Sequence, residues 1–151
     1  MRLLLTLLIQ LILQITNAEW THQLGGDIDG QAAGDYFGKS VSLSSDGSIV
    51  AIGGYGNDDN GAWSGHVRVY KRDANDPLGW VKLGEDIDGE AAEDYSGWSV
   101  SISSDGSIVA IGANYNDGNG TWSGHVRVYK LGSCTSSMEP SDYINEQCCD
   151  C

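Results

Sequence analysis

Ser40-Val41-Ser42-Leu43-Ser44-Ser45-Asp46-Gly47-Ser48-Ile49-Val50-Ala51-Ile52-Gly53 decides the fold. Residues 40–44 alternate polar and apolar side chains, the period-two pattern of a half-buried strand, and Asp46-Gly47 supplies a hairpin turn. Residues 48–53 are the return strand. Their run Ile49, Val50, Ala51, Ile52 is apolar on both faces, which places it in the middle of a sheet packed on two sides. The same text recurs at an offset of 59 residues as 99–112, with Ile102 in place of Leu43. The match extends over residues 24–70 against 83–129, with 36 identities in 47 aligned positions. A fixed period of this length marks repeated supersecondary units, and identity this high marks a recent duplication.

Two further strands complete the first copy. Residues 66–71 alternate, Val67 and Val69 facing inward while His66, Arg68 and Tyr70 point the other way, and residues 80–83 follow the Asn75-Asp76-Pro77 turn. The second copy repeats the first three strands at 98–103, 107–112 and 125–130, and residues 20–24 form a leading equivalent of the fourth. The expected fold is all-β, with eight strands in two four-stranded antiparallel repeats that look like β-propeller blades. Closed propellers have roughly four or more blades, so the ring is expected to be incomplete.

The 151 residues include 21 Gly, which suits short strands joined by tight turns, and only 2 Pro. Acidic side chains number 21 against 8 basic ones, a net charge of -13 that argues against nucleic acid as a partner, because phosphate contacts need clustered Lys and Arg. Residues 1–18 read as a secretory signal: Arg2 gives the positive start, 3–15 the apolar run and Thr16-Asn17-Ala18 the small-residue cleavage site. The run is shorter than the ~20 residues that span a bilayer, so no stable membrane insertion is expected after cleavage. Removing these residues leaves 7 basic and 21 acidic groups, a net charge of -14, which would be at ease in extracellular fluid. Asn119-Gly120-Thr121 is an N-glycosylation sequon, which fits a secreted loop.

The repeat resembles the FG-GAP repeat family, the blade of integrin α-chain propellers. The resemblance rests on Phe37-Gly38-Lys39-Ser40-Val41 followed by residues 45–54; in the second copy Ser96-Gly97 stands for the FG pair and Gly112-Ala113-Asn114 for the GAP triplet. WD-type repeats share a Ser-x-Asp-Gly turn and a V-R-V-aromatic strand, but a period of 59 residues is too long for them. What the resemblance implies is a propeller-type module for binding or adhesion, recognising a protein or a glycan. Many FG-GAP blades also carry a calcium loop between their first two strands. Here that connection is only Ser45-Asp46-Gly47 and Ser104-Asp105-Gly106, too short to wrap an ion that takes six to eight oxygens. The family's ligand set is therefore not carried over.

Other acidic loops remain. They are Asp27-Ile28-Asp29-Gly30 with Asp35, Asn57-Asp58-Asp59-Asn60-Gly61, and their counterparts Asp86-Ile87-Asp88-Gly89 with Asp94 and Asn116-Asp117-Gly118-Asn119-Gly120. Neither pattern fits the EF-hand loop, and Asp, Asn and Gly form turns on their own account, so these are read as turns. No metal and no other cofactor is expected; calcium is the one ion these loops bring into question.

His66 and His125 each precede Val-Arg-Val-Tyr and are read as strand starts, since no Ser, Cys or Glu stands at a spacing that would complete a catalytic set. With no nucleophile elbow, phosphate loop or zinc-protease helix either, the chain is expected not to be an enzyme. Trp63 and Trp122, beside Ser64-Gly65 and Ser123-Gly124, are the candidate ligand-binding residues; packing between blades is their alternative role. All four cysteines, Cys134, Cys148, Cys149 and Cys151, come after the repeats in a tail over 131–151. In a secreted chain they suggest two disulfides with three conceivable connectivities, Cys134 pairing with one of the last three, or bonds between chains. A homo-oligomer that completes a ring, or a truncated remnant, is the alternative to a binding module.

Overall fold

The computed structural model describes residues 22–132. The signal segment, Trp20 and the four cysteines lie outside the described residues. Within them the chain is all-β, without a helix: β1 (Ser40–Leu43), β2 (Ile49–Gly54), β3 (His66–Arg72), β4 (Trp80–Lys82), β5 (Ile87–Asp88), β6 (Ser96–Ile102), β7 (Ile108–Ala113) and β8 (His125–Lys130). One sheet has the order β1-β2-β3-β4 with β5 also on β3; the other is β6-β7-β8, and every pairing of strands is antiparallel. Neither sheet closes into a barrel. The described residues hold no helix long and apolar enough to cross a membrane.

The strands divide five and three rather than four and four. β3 is seven residues long, and its free edge carries β4 at Tyr70–Arg72 and β5 at His66–Val67. Residues 22–24 form no strand. Leu24 accepts the Trp80 indole N–H at 2.8 Å, and the Gly26 N–H donates to the Leu78 carbonyl at 2.6 Å, so the leading segment leans on the turn before β4.

Register defines two faces per blade. Ser42, Ala51 and Val69 stand in one cross-strand row and Ser40, Gly53 and Val67 in the next; Leu43, Val50 and Tyr70 belong to the opposite face. In the second blade, Ile102, Val109 and Tyr129 form one row and Val100 and Ile111 share the next. The core lies between the blades: Ala51, Val67 and Val69 of the first meet Val100, Ile102, Val109, Ile111 and Tyr129 of the second, with Ile87 from the connecting strand. Close-packed burial of this kind is the main favourable term in folding. All of β2 is buried, as its two-sided apolar run predicts, whereas β7 is buried on one face only.

Hydrogen bonds join the first strands of the two blades, β1 and β6, and the turns that follow them. Ser40 Oγ donates to the Gly97 carbonyl at 2.6 Å, the Ile102 N–H to Ser42 Oγ at 3.0 Å, and the Ser45 N–H to the Ser104 carbonyl at 3.0 Å.

Each hairpin turn is wired by its aspartate. Asp46 Oδ1 accepts the Ser48 N–H at 3.0 Å, Ser44 Oγ at 2.7 Å and Ser48 Oγ at 2.8 Å, and Asp105 does the same with Ser103 and Ser107. The Ser48 N–H chiefly holds Asp46 down to about 2, and the Ser103 hydroxyl chiefly does so for Asp105, against an ordinary 3.8. A folded value below the unfolded one means that these bonds contribute fully above pH 3.8 and are lost as the pH falls toward about 2. The double change Asp46→Asn, Asp105→Asn is therefore expected to flatten the fall in melting midpoint between pH 3.8 and about 2. Thermal melts at stepped pH check this, and an acid limb identical to the parent's would exclude the turns as its source.

Candidate functional site

Turns of the same construction in both repeats hold a row of aromatic rings. The Asp35 carboxylate accepts the Ala32 N–H at 3.0 Å and the Asn57 side-chain amide at 3.4 Å; Asp94 accepts the Ala91 N–H and the Asn116 amide, both at 3.0 Å. These four polar side chains are buried, and each aspartate is succeeded directly by a row tyrosine, Tyr36 or Tyr95. In the next loop Asp58 Oδ1 accepts the Trp63 N–H at 2.8 Å, and Asp117 Oδ1 accepts the Trp122 N–H at 2.6 Å. The acidic loops thus spend several carboxylate oxygens on backbone N–H groups that set the aromatic residues.

The rings run across both blades. Tyr36 stacks on Tyr55 at 5.0 Å between centroids and 10° between planes, and both stack on Trp63. Trp63 and Tyr55 reach across to Tyr95 at 5.7 and 5.9 Å, and Tyr55 meets Trp98 edge-on at 4.8 Å. Tyr95 continues to Tyr115 at 5.0 Å, and Tyr115 to Trp122 at 6.1 Å. Tyr36, Trp63, Trp98, Tyr115 and Trp122 are all exposed.

Of the five described non-glycine residues with positive φ, four are in this row: Tyr36 at 51°, Trp63 at 57°, Tyr95 at 56° and Trp122 at 55°. A bulky residue in the left-handed region costs about 1–2 kcal/mol. Such strain persists where the surroundings impose it, and it clusters at sites of function.

Of the two ligand-binding candidates, Trp63 packs between the blades while keeping part of its ring open, and Trp122 touches only Tyr115 among the described rings. Asn119 is exposed in the same loop as Trp122, its N–H donating to Ser123 Oγ at 3.3 Å. Tyr36, Tyr55, Tyr95, Trp98 and Tyr115 were not singled out by sequence. The signal that could have found them is Tyr36 and Tyr95 at equivalent places after Asp35 and Asp94.

A second cluster lies where β5 meets β3. Asp86 Oδ2 accepts Arg68 Nε at 2.8 Å and Nη2 at 2.7 Å, while Oδ1 accepts Lys82 Nζ at 2.7 Å; Arg68 also donates to Gln31 Oε1. Burial alone would raise the Asp86 carboxyl, but the bonds from Arg68 and Lys82 outweigh it and hold the group below its ordinary range. His66, which opens β3 as His125 opens β8, is fully buried, edge-on to Phe37 at 5.9 Å and with Nδ1 3.6 Å from Asp86. Burial, aided by the Arg68 charge, lowers its pKa and favours the neutral imidazole. Burial and the neighbouring Asp86 raise Asp88.

Asp59, His66, Asp86 and Asp88 bring ligand-type atoms within 4.8 Å of one another and are the described residues best placed to hold a cation. A cation would have to displace Arg68 and Lys82 from Asp86, so the set serves first as an ion-pair cluster that ties the connecting strand to β3.

Against known proteins, the family model described as FG-GAP repeat matches residues 29–70 and 87–129, together more than half of the chain. No curated protein and no solved structure matches it.

Proposed function

The chain belongs to the FG-GAP repeat family, and from that premise we propose that it is a secreted, non-enzymatic binding or adhesion module whose aromatic row recognises a protein or a glycan. Repeats of this family suggest a propeller-type binding module and are typically extracellular. The observation that carries the reading is the row itself, in which Tyr36, Trp63, Tyr95 and Trp122 are held at positive φ with ring surface left to solvent. Strain of that kind clusters at ligand-binding sites. Tyr and Trp are also the side chains that give large contact area for little lost entropy, at protein hot spots and on the faces of sugars. No catalytic group and no cofactor enters this reading.

Arrays of glycans and of extracellular proteins test it. The native chain should give defined signals, and Trp63→Ala should weaken them by about 30-fold, the size of a ~2 kcal/mol hot spot. Trp122→Gly is expected to weaken binding while the chain keeps its folded circular-dichroism signal, because glycine relieves the φ of 55° and the ring removed is mostly exposed within the single chain. Silence of the native chain on both arrays would sink the proposal.

A further inference from the structure

We propose that copies of this chain join head to tail, the free face of the second blade in one copy docking on the free face of the first blade in the next. The interface inside the chain is the template. It is made by one face of blade 1, carrying Ala51, Val67 and Val69, and the opposite face of blade 2, carrying Val100, Ile102, Val109, Ile111 and Tyr129. Duplication has put the same side chains on the two outer faces. Blade 2 repeats the first set as Ala110, Val126 and Val128, and blade 1 repeats the second as Val41, Leu43, Val50, Ile52 and Tyr70, with Leu43 for Ile102 the one change. The molecule therefore carries both halves of its own interface, one at each end.

Burial shows which halves are unmatched. Val67 is 0% exposed and its counterpart Val126 is 66% exposed; Ile49 is 9% and Ile108 41%. Val128 is 65% exposed, and at the other end Val41 and Leu43 are 58% and 55%, although Val100 and Ile102 pack on the core; Val50 and Ile52 at that end are already buried, at 6% each, so the open part of the blade 1 face is its β1 edge. Terminal repeats of soluble arrays normally carry a polar outer face, and contiguous apolar surface usually marks an interaction site.

Backbone fit repeats the same asymmetry. A Cβ on Gly61 would touch Ala92 of the second blade at 3.1 Å, while one on Gly120 would meet nothing within 4 Å among the described residues. The turn segment that fills this corner in blade 1 bonds through its backbone, the Glu93 N–H to the Ala62 carbonyl at 2.8 Å and the Tyr95 N–H to the Trp63 carbonyl at 3.0 Å. At the equivalent place in blade 2 there is instead an open hollow of about 420 Å³ beside Tyr95, Tyr115 and Trp122. The matching segment of the next copy, ending at Tyr36, has the length and the ring to fill it. Trp122 would then meet Tyr36 of the next copy as Trp63 meets Tyr95, at 5.7 Å between centroids, and the aromatic row would run on from chain to chain.

A contact between unlike faces is heterologous, so it closes into a ring or grows as a filament. Propellers of about four to eight blades would need roughly two to four copies. The inference does not rest on the ligand-binding reading, which an array can sink while assembly stands.

Light scattering on the purified chain is the test. The native protein is expected at a multiple of the monomer mass, more completely as salt screens its net charge of -13. Val126→Asp with Val128→Asp spoils one face and Val41→Asp with Leu43→Asp the other, at positions exposed enough to leave each chain folded by circular dichroism. Each variant alone should be monomeric, with affinity reduced at least 100-fold, and an equal mixture should form a dimer through the one intact pair of faces. Gly38→Ala, whose added methyl meets nothing within 4 Å among the described residues, should also block assembly by clashing with the next copy. A monomeric native chain at tens of micromolar, an oligomer that survives these changes, or a mixture that stays monomeric would overturn the proposal.

Discussion

Replacing Gly97 with alanine is expected to destabilise the fold by about 3 kcal/mol, against about 1 kcal/mol for the same change at Gly38, its counterpart in the first repeat. Both glycines have strongly positive φ, 82° and 88°, so the backbone penalty is common to the pair. The surroundings differ. A Cβ at Gly97 would collide with the His66 carbonyl oxygen and press on Gly53 Cα and Val67 Cγ2 at 3.2 Å, whereas at Gly38 it would meet nothing within 4 Å. The His66 carbonyl belongs to the buried start of β3 and cannot move aside without disturbing it. Urea unfolding of the two variants gives the difference directly. Equal losses would mean that the blades are not in contact at Gly97.

Asp86→Ala is the second large effect. It strands Arg68 and Lys82 at once and removes the carboxylate nearest the buried His66. Breaking a buried pair costs about 3–5 kcal/mol; because Lys82 is partly exposed, about 2 kcal/mol is expected here. Glu90→Ala makes the comparison in the second blade, where His125 and Arg127 approach Glu90 only at 3.7 and 3.6 Å and Glu90 is more than half exposed. That pair should be worth less than about 1 kcal/mol. The ranking is read from denaturant midpoints at neutral pH, and a larger loss at Glu90 would remove the cluster around Asp86 from its place in holding β5 to β3.

The contrast between these two ion-pair sites shows what the sequence could and could not convey. The strands were legible because the signals are local: alternation in 40–43, the Asp46-Gly47 turn and the two-sided apolar run of β2 each depend on neighbours in the chain. Their repetition at the same offset made the two-blade architecture plain. β5 was not legible, because Ile87-Asp88 is too short for any periodicity and pairs only because β3 runs on past β4. Nor was the cluster at Asp86, which needs Arg68 from β3 and Lys82 from β4.

For the candidate site, Trp63 and Trp122 could be singled out from their loops, but the row they belong to could not. Its rings come from four separate loops and from Trp98 of β6, and are joined only when the blades meet. The identity of the repeats also hid their main difference. Ile49 and Ile108 have the same neighbours in sequence, yet one is buried by the second blade and the other is open. Burial there depends on whether another blade packs against the strand, which no local pattern records.

Amide hydrogen exchange resolved by residue tests the central claim most directly, that the two blades are one folding unit whose core lies between them. Strands β2, β3, β6 and β7 contribute to that core, so their slowest amides are expected to exchange through a single global opening with one common free energy. A destabilising change in either blade, such as Gly97→Ala, should lower all of them together. Two separate sets of free energies, one for β1 to β4 and one for β6 to β8, with only one set responding to the change, would contradict the claim.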